Sequence, residues 1–182
     1  MSATICSAAL VLGSAAAPFL GAVTSLLGLA GIAVSARLYL APGRPAWNSA
    51  VTFVEFFATA LLLGTAAASL SNSEILPSGC LRVSVIFCAV GLALKILRLR
   101  FAFRHELFAS WQLLSSILLN KLLLRTGLLV MGAGLCLSGP SVPVRALGFV
   151  ALLASEFLGR YLFFVSVVPS NIASGYLAQE AA

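Results

Sequence analysis

This sequence predicts an all-α protein, a polytopic bundle of membrane-spanning helices, and three observations predict it. Of its 182 residues, 61% are hydrophobic and only 9% are charged, whereas a soluble domain has about a quarter of its residues charged. The apolar residues also stand in long continuous runs, not in the alternating segments of about ten residues that build a transmembrane β-barrel. Finally, a membrane helix needs about 20 apolar residues. The chain therefore holds about five spans in a single membrane domain, residues 1–182, with little left for a soluble one. Eleven Lys and Arg stand against five acidic residues, all Glu. That excess is spread too thinly through apolar sequence to form a phosphate-binding groove, which excludes a nucleic-acid partner.

Residues 1–36 carry no charge and are too many for one upright span. Pro18 is the natural break, giving a first helix over 19–36 in which Gly21, Ser25 and Gly28 offer small-residue contact to a neighbour. For residues 1–17 two readings stay open, a signal-like apolar segment or a partial helix over 3–17. No basic stretch precedes the segment, which speaks against cleavage. The connection 35–48 contains Arg37, Tyr39, Pro42, Arg44, Pro45 and Trp47, the aromatic and basic mixture of a lipid–water boundary.

A second helix over 49–69 carries Glu55 about a turn and a half inside. Residues 71–79 form a turn, and a third helix spans 80–97. The chain is then basic from Lys95 through Arg98 and Arg100 to Arg104, with apolar residues between. Such a stretch snorkels to anionic headgroups or docks an extrinsic subunit. The apolar run 107–119 is short for a span and reads as an interfacial or re-entrant helix. Lys121 and Arg125 open a fourth helix over 122–137. After the turn 139–143, the last helix runs over 144–168 and is stopped by Pro169. The basic residues crowd the first and third connections, so the positive-inside rule places those in the cytoplasm, with the C-terminus.

Several chemistries are excluded. Cys6, Cys80, Cys88 and Cys136 form no CxxC pair, which argues against a cluster or zinc site. Cys80 and Cys88 would lie roughly 12 Å apart on one helix, too far for a disulfide. His105 is the only histidine, so the chain alone cannot ligate a haem through two histidines. Nucleotide-loop and zinc-protease motifs are lacking. The sequence thus predicts no catalytic residue and no metal site.

Three polar constellations remain. Glu156 and Arg160 stand at i,i+4 on the last helix, deep in apolar sequence, where ionised groups are unfavourable by a few kcal/mol unless paired. They form either a self-neutralised packing pair or a contact for a polar ligand, and Ser155 and Gly159 beside them let another helix approach. Glu55 has no charged residue at i±3 or i±4. It either meets Arg37 or Arg44 across the loop or exchanges a proton with a ligand. Trp111 and Gln112 pair an aromatic ring with an amide donor, a combination suited to a quinone carbonyl, although interfacial Trp is common without any ligand.

Two blocks resemble the membrane anchor subunit of the dimethyl sulfoxide reductase family. The first is Ser35-Ala36-Arg37-Leu38-Tyr39, followed by Arg44-Pro45-Ala46-Trp47-Asn48 and Phe56-Phe57-Ala58-Thr59. It is similar to the family's Arg-x-Tyr, Pro-x-Trp and Phe-Phe-x-Thr sequence around a loop between helices. The second is Ser155-Glu156-Phe157-Leu158-Gly159-Arg160-Tyr161-Leu162-Phe163-Phe164, similar to the family's closing Gly-Glu-x-x-Gly-Arg helix.

The resemblance implies a non-catalytic subunit in the inner (cytoplasmic) membrane for anaerobic respiration. Such a subunit tethers a molybdopterin catalytic subunit and an iron–sulfur subunit, and passes electrons from menaquinol without a cofactor of its own. Arg37, Tyr39, Pro45, Trp47 and Gly159 are then motif positions, and Glu55, Trp111, Gln112, Glu156 and Arg160 are the quinol or coupling candidates. The family usually has eight spans, of which this chain matches the last five, and Glu55 stands where the family has a small residue. The family's outward C-terminus also opposes the charge-based topology. The rival readings are a small multi-span transporter and an inactive truncated anchor.

Overall fold

The computed structural model describes residues 17–40, 44, 46–70, 78–101, 105–139 and 141–167. The helix expected over 3–17 lies outside them but for its last position, as do Cys6, Pro45, most of the turn 71–79, Arg104 and Pro169. The described residues form six helices: α1 (Ala17–Leu38), α2 (Ala50–Ala68), α3 (Ser78–Arg100), α4 (His105–Ser115), α5 (Leu119–Ser138) and α6 (Val142–Val165). All except α4 are long and apolar enough to cross a membrane. The fold is all-α and the protein is a multi-pass membrane protein.

The ends of these helices differ from the sequence expectation in informative ways. α3 runs on to Arg100 and α5 starts at Leu119, because helix continues through Lys and Arg whose charged heads find partners. α6 ends at Val165, where the Ser166 amide bonds back to the Leu162 carbonyl, so it stops before the chain reaches Pro169.

In lipid, helices gain little from hiding apolar surface and associate through close packing and interhelical hydrogen bonds. The tightest contact joins α5 to α6. A Cβ added to Gly132 would stand 2.8 Å from the Gly148 carbonyl oxygen, and one added to Gly148 would stand 2.9 Å from that of Gly132. The two backbones touch where both helices carry glycine. Small residues build much of the rest of the core, with Ala58, Ala66, Cys88, Ala133 and Cys136 buried beside Leu62, Leu81, Leu129 and Leu152. Between α2 and α3, Thr65 and Ser84 share a hydroxyl hydrogen bond of 2.8 Å.

Many large apolar side chains point outward instead, Val83, Val130, Val150 and Phe157 each being at least 60% exposed. That inversion is what a lipid-facing surface requires. α1 is the least enclosed span, with only 6% of its apolar window buried. The expected neighbour for its small-residue stripe is missing among the described residues. A Cβ on Gly28 would meet nothing within 4 Å, and the Ser25 hydroxyl turns back to the Gly21 carbonyl at 2.9 Å.

The helices run up and down, so one end of the bundle gathers the C-termini of α1, α3 and α6 with the N-termini of α2 and α5. This is the basic end, bearing Arg37, Arg44, Arg98, Arg100 and Lys121. α4 lies here, docking Leu114 and Trp111 against Leu99 of α3. At the opposite end Arg145 donates to the Ser69 carbonyl at 2.7 Å, satisfying the C-terminus of α2;. That side, nearly bare of loop charge in the sequence, spends this cation inside the fold.

Candidate functional site: a charge cluster inside the bundle

Every charged group deep in the bundle has to find a partner from another helix or from its own. Here α2, α3, α5 and α6 each supply at least one, and they meet. Glu156 of α6 is 4% exposed and Arg125 of α5 is 7% exposed. The Arg125 Nη2 stands 3.9 Å from Glu156 Oε1, while the Thr59 hydroxyl of α2 donates to Oε2 at 2.7 Å and the Cys88 thiol of α3 donates to Oε1 at 3.6 Å. On the basic-end side, Lys95 of α3 grips Glu55 of α2, with Nζ 3.0 Å from Oε1 and 3.2 Å from Oε2.

This pattern corrects three expectations. Glu156 pairs with Arg125 across helices; among the described residues no ion pair joins it to Arg160 within 4.0 Å. Arg160 instead lies over the Phe56 ring, its Cζ 3.7 Å from the centroid, and reaches the Thr59 hydroxyl at 3.5 Å. Stretching away from its own i−4 neighbour, it leaves the carboxylate to Arg125. Glu55 meets neither Arg37 nor Arg44: Arg37 is exposed, and Arg44 stacks on Trp47 at 4.3 Å. Lys95, finally, does not snorkel outward but turns into the bundle toward Glu55. For a short carboxylate, a long ammonium stem from the adjacent helix is the nearest available charge.

Gly159 makes the Arg125 contact possible. A Cβ there would lie 2.7 Å from both Cζ and Nε of Arg125. The small residue thus makes room for a neighbour's guanidinium, as well as for helix packing at Ser155, whose hydroxyl donates to the Arg125 carbonyl at 2.9 Å.

An aromatic group flanks the cluster on its basic-end side. Trp47 and Phe163 stack with centroids 5.2 Å apart and planes 6° from parallel, and the indole Nε1 donates to the Phe163 carbonyl at 3.0 Å. Tyr39 packs edge-on against Trp47, Phe163 and Phe164, and Lys95 passes 4.9 Å from the Phe163 centroid. These bonds tie the loop before α2 to the C-terminal turn of α6, which joins the two sequence blocks in space. Desolvated cation–π contacts of this type contribute on the order of 2 kcal/mol.

Two spaces adjoin the cluster. A small, partly open cavity of about 10 Å³ is lined by Glu55, Thr59, Arg125, Glu156, Gly159, Arg160 and Phe163. Outside it, between α2 and α6, an open cleft of about 170 Å³ is lined by Thr59, Leu63, Leu153, Glu156, Phe157 and Arg160. Thr59, Glu156 and Arg160 belong to both linings and so form the partition between them. The cleft presents apolar atoms, and Phe157 on its wall is 70% exposed, so it opens on the lipid-facing surface. A larger groove of about 550 Å³, lined by Leu61, Thr65, Gly79, Cys80, Val83, Ser84 and Phe87, lies further toward the opposite end and contains no charged group.

Trp111 and Gln112 line neither space at the cluster. Trp111 packs in the small apolar cluster with Leu99 and Leu114, and Gln112 is exposed. Sequence reasoning missed Lys95, Thr59 and Arg125 as members of the site. A signal existed for the two cations: each stands well inside a helix and not at its end, five residues before Arg100 and six after Leu119. Among the described residues no group of three His, Cys, Asp or Glu could hold a metal ion.

In comparison with known proteins, the family model for the DMSO reductase anchor subunit (DmsC) matches residues 10–165. No curated protein and no solved structure matches significantly.

Proposed function

Because the chain belongs to the DMSO reductase anchor subunit (DmsC) family, we propose that it is the non-catalytic membrane anchor of a molybdenum-containing oxidoreductase in the inner membrane. It tethers an iron–sulfur subunit and a molybdopterin catalytic subunit, and it delivers electrons from menaquinol to the former during anaerobic respiration. One observation supports the quinol part above others: a lipid-facing cleft whose inner wall is the partition of Thr59, Glu156 and Arg160.

A lipid quinol approaches such a cleft from the membrane with its tail left in lipid. Its ring finds apolar walls, and the Glu156 carboxylate and Arg160 guanidinium, which stand behind those walls, turn toward the cleft to meet its hydroxyls. The cluster holds Lys95, Arg125 and Arg160 against Glu55 and Glu156, one positive charge in excess. In a low-dielectric setting that excess stabilises the anion formed as quinol loses its first proton. The anchor needs no metal for this, since the electrons leave for clusters held by the partner subunit.

Deletion of the gene tests the proposal. The catalytic subunit is then expected in the soluble fraction, and membranes are expected to lose quinol-dependent reduction while artificial dyes still reduce the terminal acceptor. Membrane-bound enzyme with undiminished quinol activity in the deletion strain would refute the anchor role.

A further inference from the structure

The small cavity beside the cluster is lined in part by Arg125, which carries an unsatisfied donor. Among the described residues the buried Arg125 Nε has no hydrogen-bond partner, its side chain being only 9% exposed. A buried donor left unpaired is unfavourable by about 1–3 kcal/mol. The adjoining cavity of about 10 Å³ matches the space one water needs, roughly 10–15 Å³;. Its lining supplies more than the two to four polar partners such a water requires, with carboxylates from Glu55 and Glu156 and guanidinium groups from Arg125 and Arg160.

We propose that this cavity binds a single water that links Glu156 to Glu55, making the two carboxylates successive stations of a proton-exit path from the quinol cleft to the basic end of the bundle. The proposal rests on the quinol reading above. Depth along the helices gives the path its direction. Glu156 lies nine residues, about 13 Å, from the end of α6, whereas Glu55 lies five residues, about 8 Å, from the start of α2;.

Thr59 tunes the first station, sharing its hydroxyl between Glu156 and a backbone carbonyl. Its one hydroxyl hydrogen has two acceptors, the Glu55 carbonyl at 2.9 Å and Glu156 Oε2 at 2.7 Å, so the hydroxyl can turn as the charge on Glu156 changes. In the step itself the two quinol O–H bonds break in turn, each proton joining the Glu156 carboxylate, while two electrons go to the iron–sulfur partner and quinone is left. Each proton then moves through the water to Glu55, restoring the Glu156 anion before the next transfer, and leaves toward solvent. Charged and titratable groups from all the packed elements face this path: Lys95 and Cys88 of α3, Arg125 of α5, Arg160 of α6 and Tyr39 from the turn after α1.

The test uses the assembled complex in native membranes, with menaquinol as the probe. In Glu55→Gln, kcat is expected to fall by about a hundredfold with KM unchanged, and to recover as pH rises because hydroxide and buffer take the proton. Glu55→Asp is expected to restore most of the rate. Thr59→Val, which leaves both ion pairs in place, is expected to lower kcat and enlarge the deuterium-oxide effect, and it carries the test if Glu55→Gln does not assemble. Wild-type kcat and isotope effect in both variants, with Glu156→Gln inactive, would overturn the relay and leave the quinol cleft standing. Unchanged kcat and KM in Glu156→Gln and in Leu153→Trp, which blocks the cleft, would overturn the quinol reading itself.

Discussion

Gly159 illustrates how one missing methyl group sets the site. With Arg125 atoms 2.7 Å from where its Cβ would be, Gly159→Ala is expected to push the guanidinium off Glu156. The loss is about 1–3 kcal/mol, the usual range for overpacking, read as a lower unfolding midpoint of the detergent-solubilised protein. Gly28→Ala on α1, with open space around it, is the control and is expected to leave the midpoint unchanged. Removing a charge is more severe. Glu156→Ala strands a buried Arg125 and is expected to destabilise by about 3 kcal/mol or more, whereas replacing both residues with apolar ones recovers most of it. Importance was legible at this scale and pairing was not. A carboxylate or guanidinium in an apolar run announces itself, but i,i+4 spacing favours a bond within the helix, and the competing partner sits on a helix that sequence separation hides. Glu156 sits 31 residues past Arg125 and Glu55 sits 40 before Lys95, so neither pair is visible without knowing which helices are neighbours.

Among elements, the α5–α6 hairpin is the rigid unit on which the cluster is mounted. Gly132 and Gly148 bring the backbones into contact, Ser155 bonds across to the Arg125 carbonyl, and Gly159 receives the Arg125 side chain. Gly148→Leu is therefore expected to separate the helices and scatter the cluster far downstream. It should lower stability and quinol turnover together, as measured by thermal unfolding and steady-state rate in the same preparation. Trp47→Phe is a gentler probe of the other junction. It keeps the stack on Phe163 but removes the indole donor, at about 1 kcal/mol, and is expected to loosen the loop before α2 without abolishing assembly. The five long helices were readable because each has a continuous apolar run bounded by turn residues. α4 was readable only as an anomaly, an apolar run too short to span, and its docking against Leu99 depends on tertiary contact that periodicity does not carry. The reach of α3 to Arg100 was hidden because charge there resembles a boundary, although its Lys95 turns inward.

For the whole molecule, the distribution of charge and apolar surface dictates the environment. Many large apolar side chains face outward while small ones fill much of the core, and the cations concentrate at one end, so the bundle is built for lipid on its flanks and an aqueous or protein partner at its basic face. By the positive-inside rule that face is expected in the cytoplasm, against the outward C-terminus that the family resemblance implies. In a variant keeping Cys80 as its only cysteine, an impermeant thiol reagent added outside intact cells is expected to label it, while a cysteine in place of Arg44 is labelled only after lysis; the reverse pattern would invert the orientation. What the bundle anchors is tested most directly by metal content. The chain, affinity-purified in mild detergent from anaerobically grown cells, is expected to carry molybdenum and iron in fixed proportion to itself. Recovery of the intact chain with neither metal would contradict its role as an anchor.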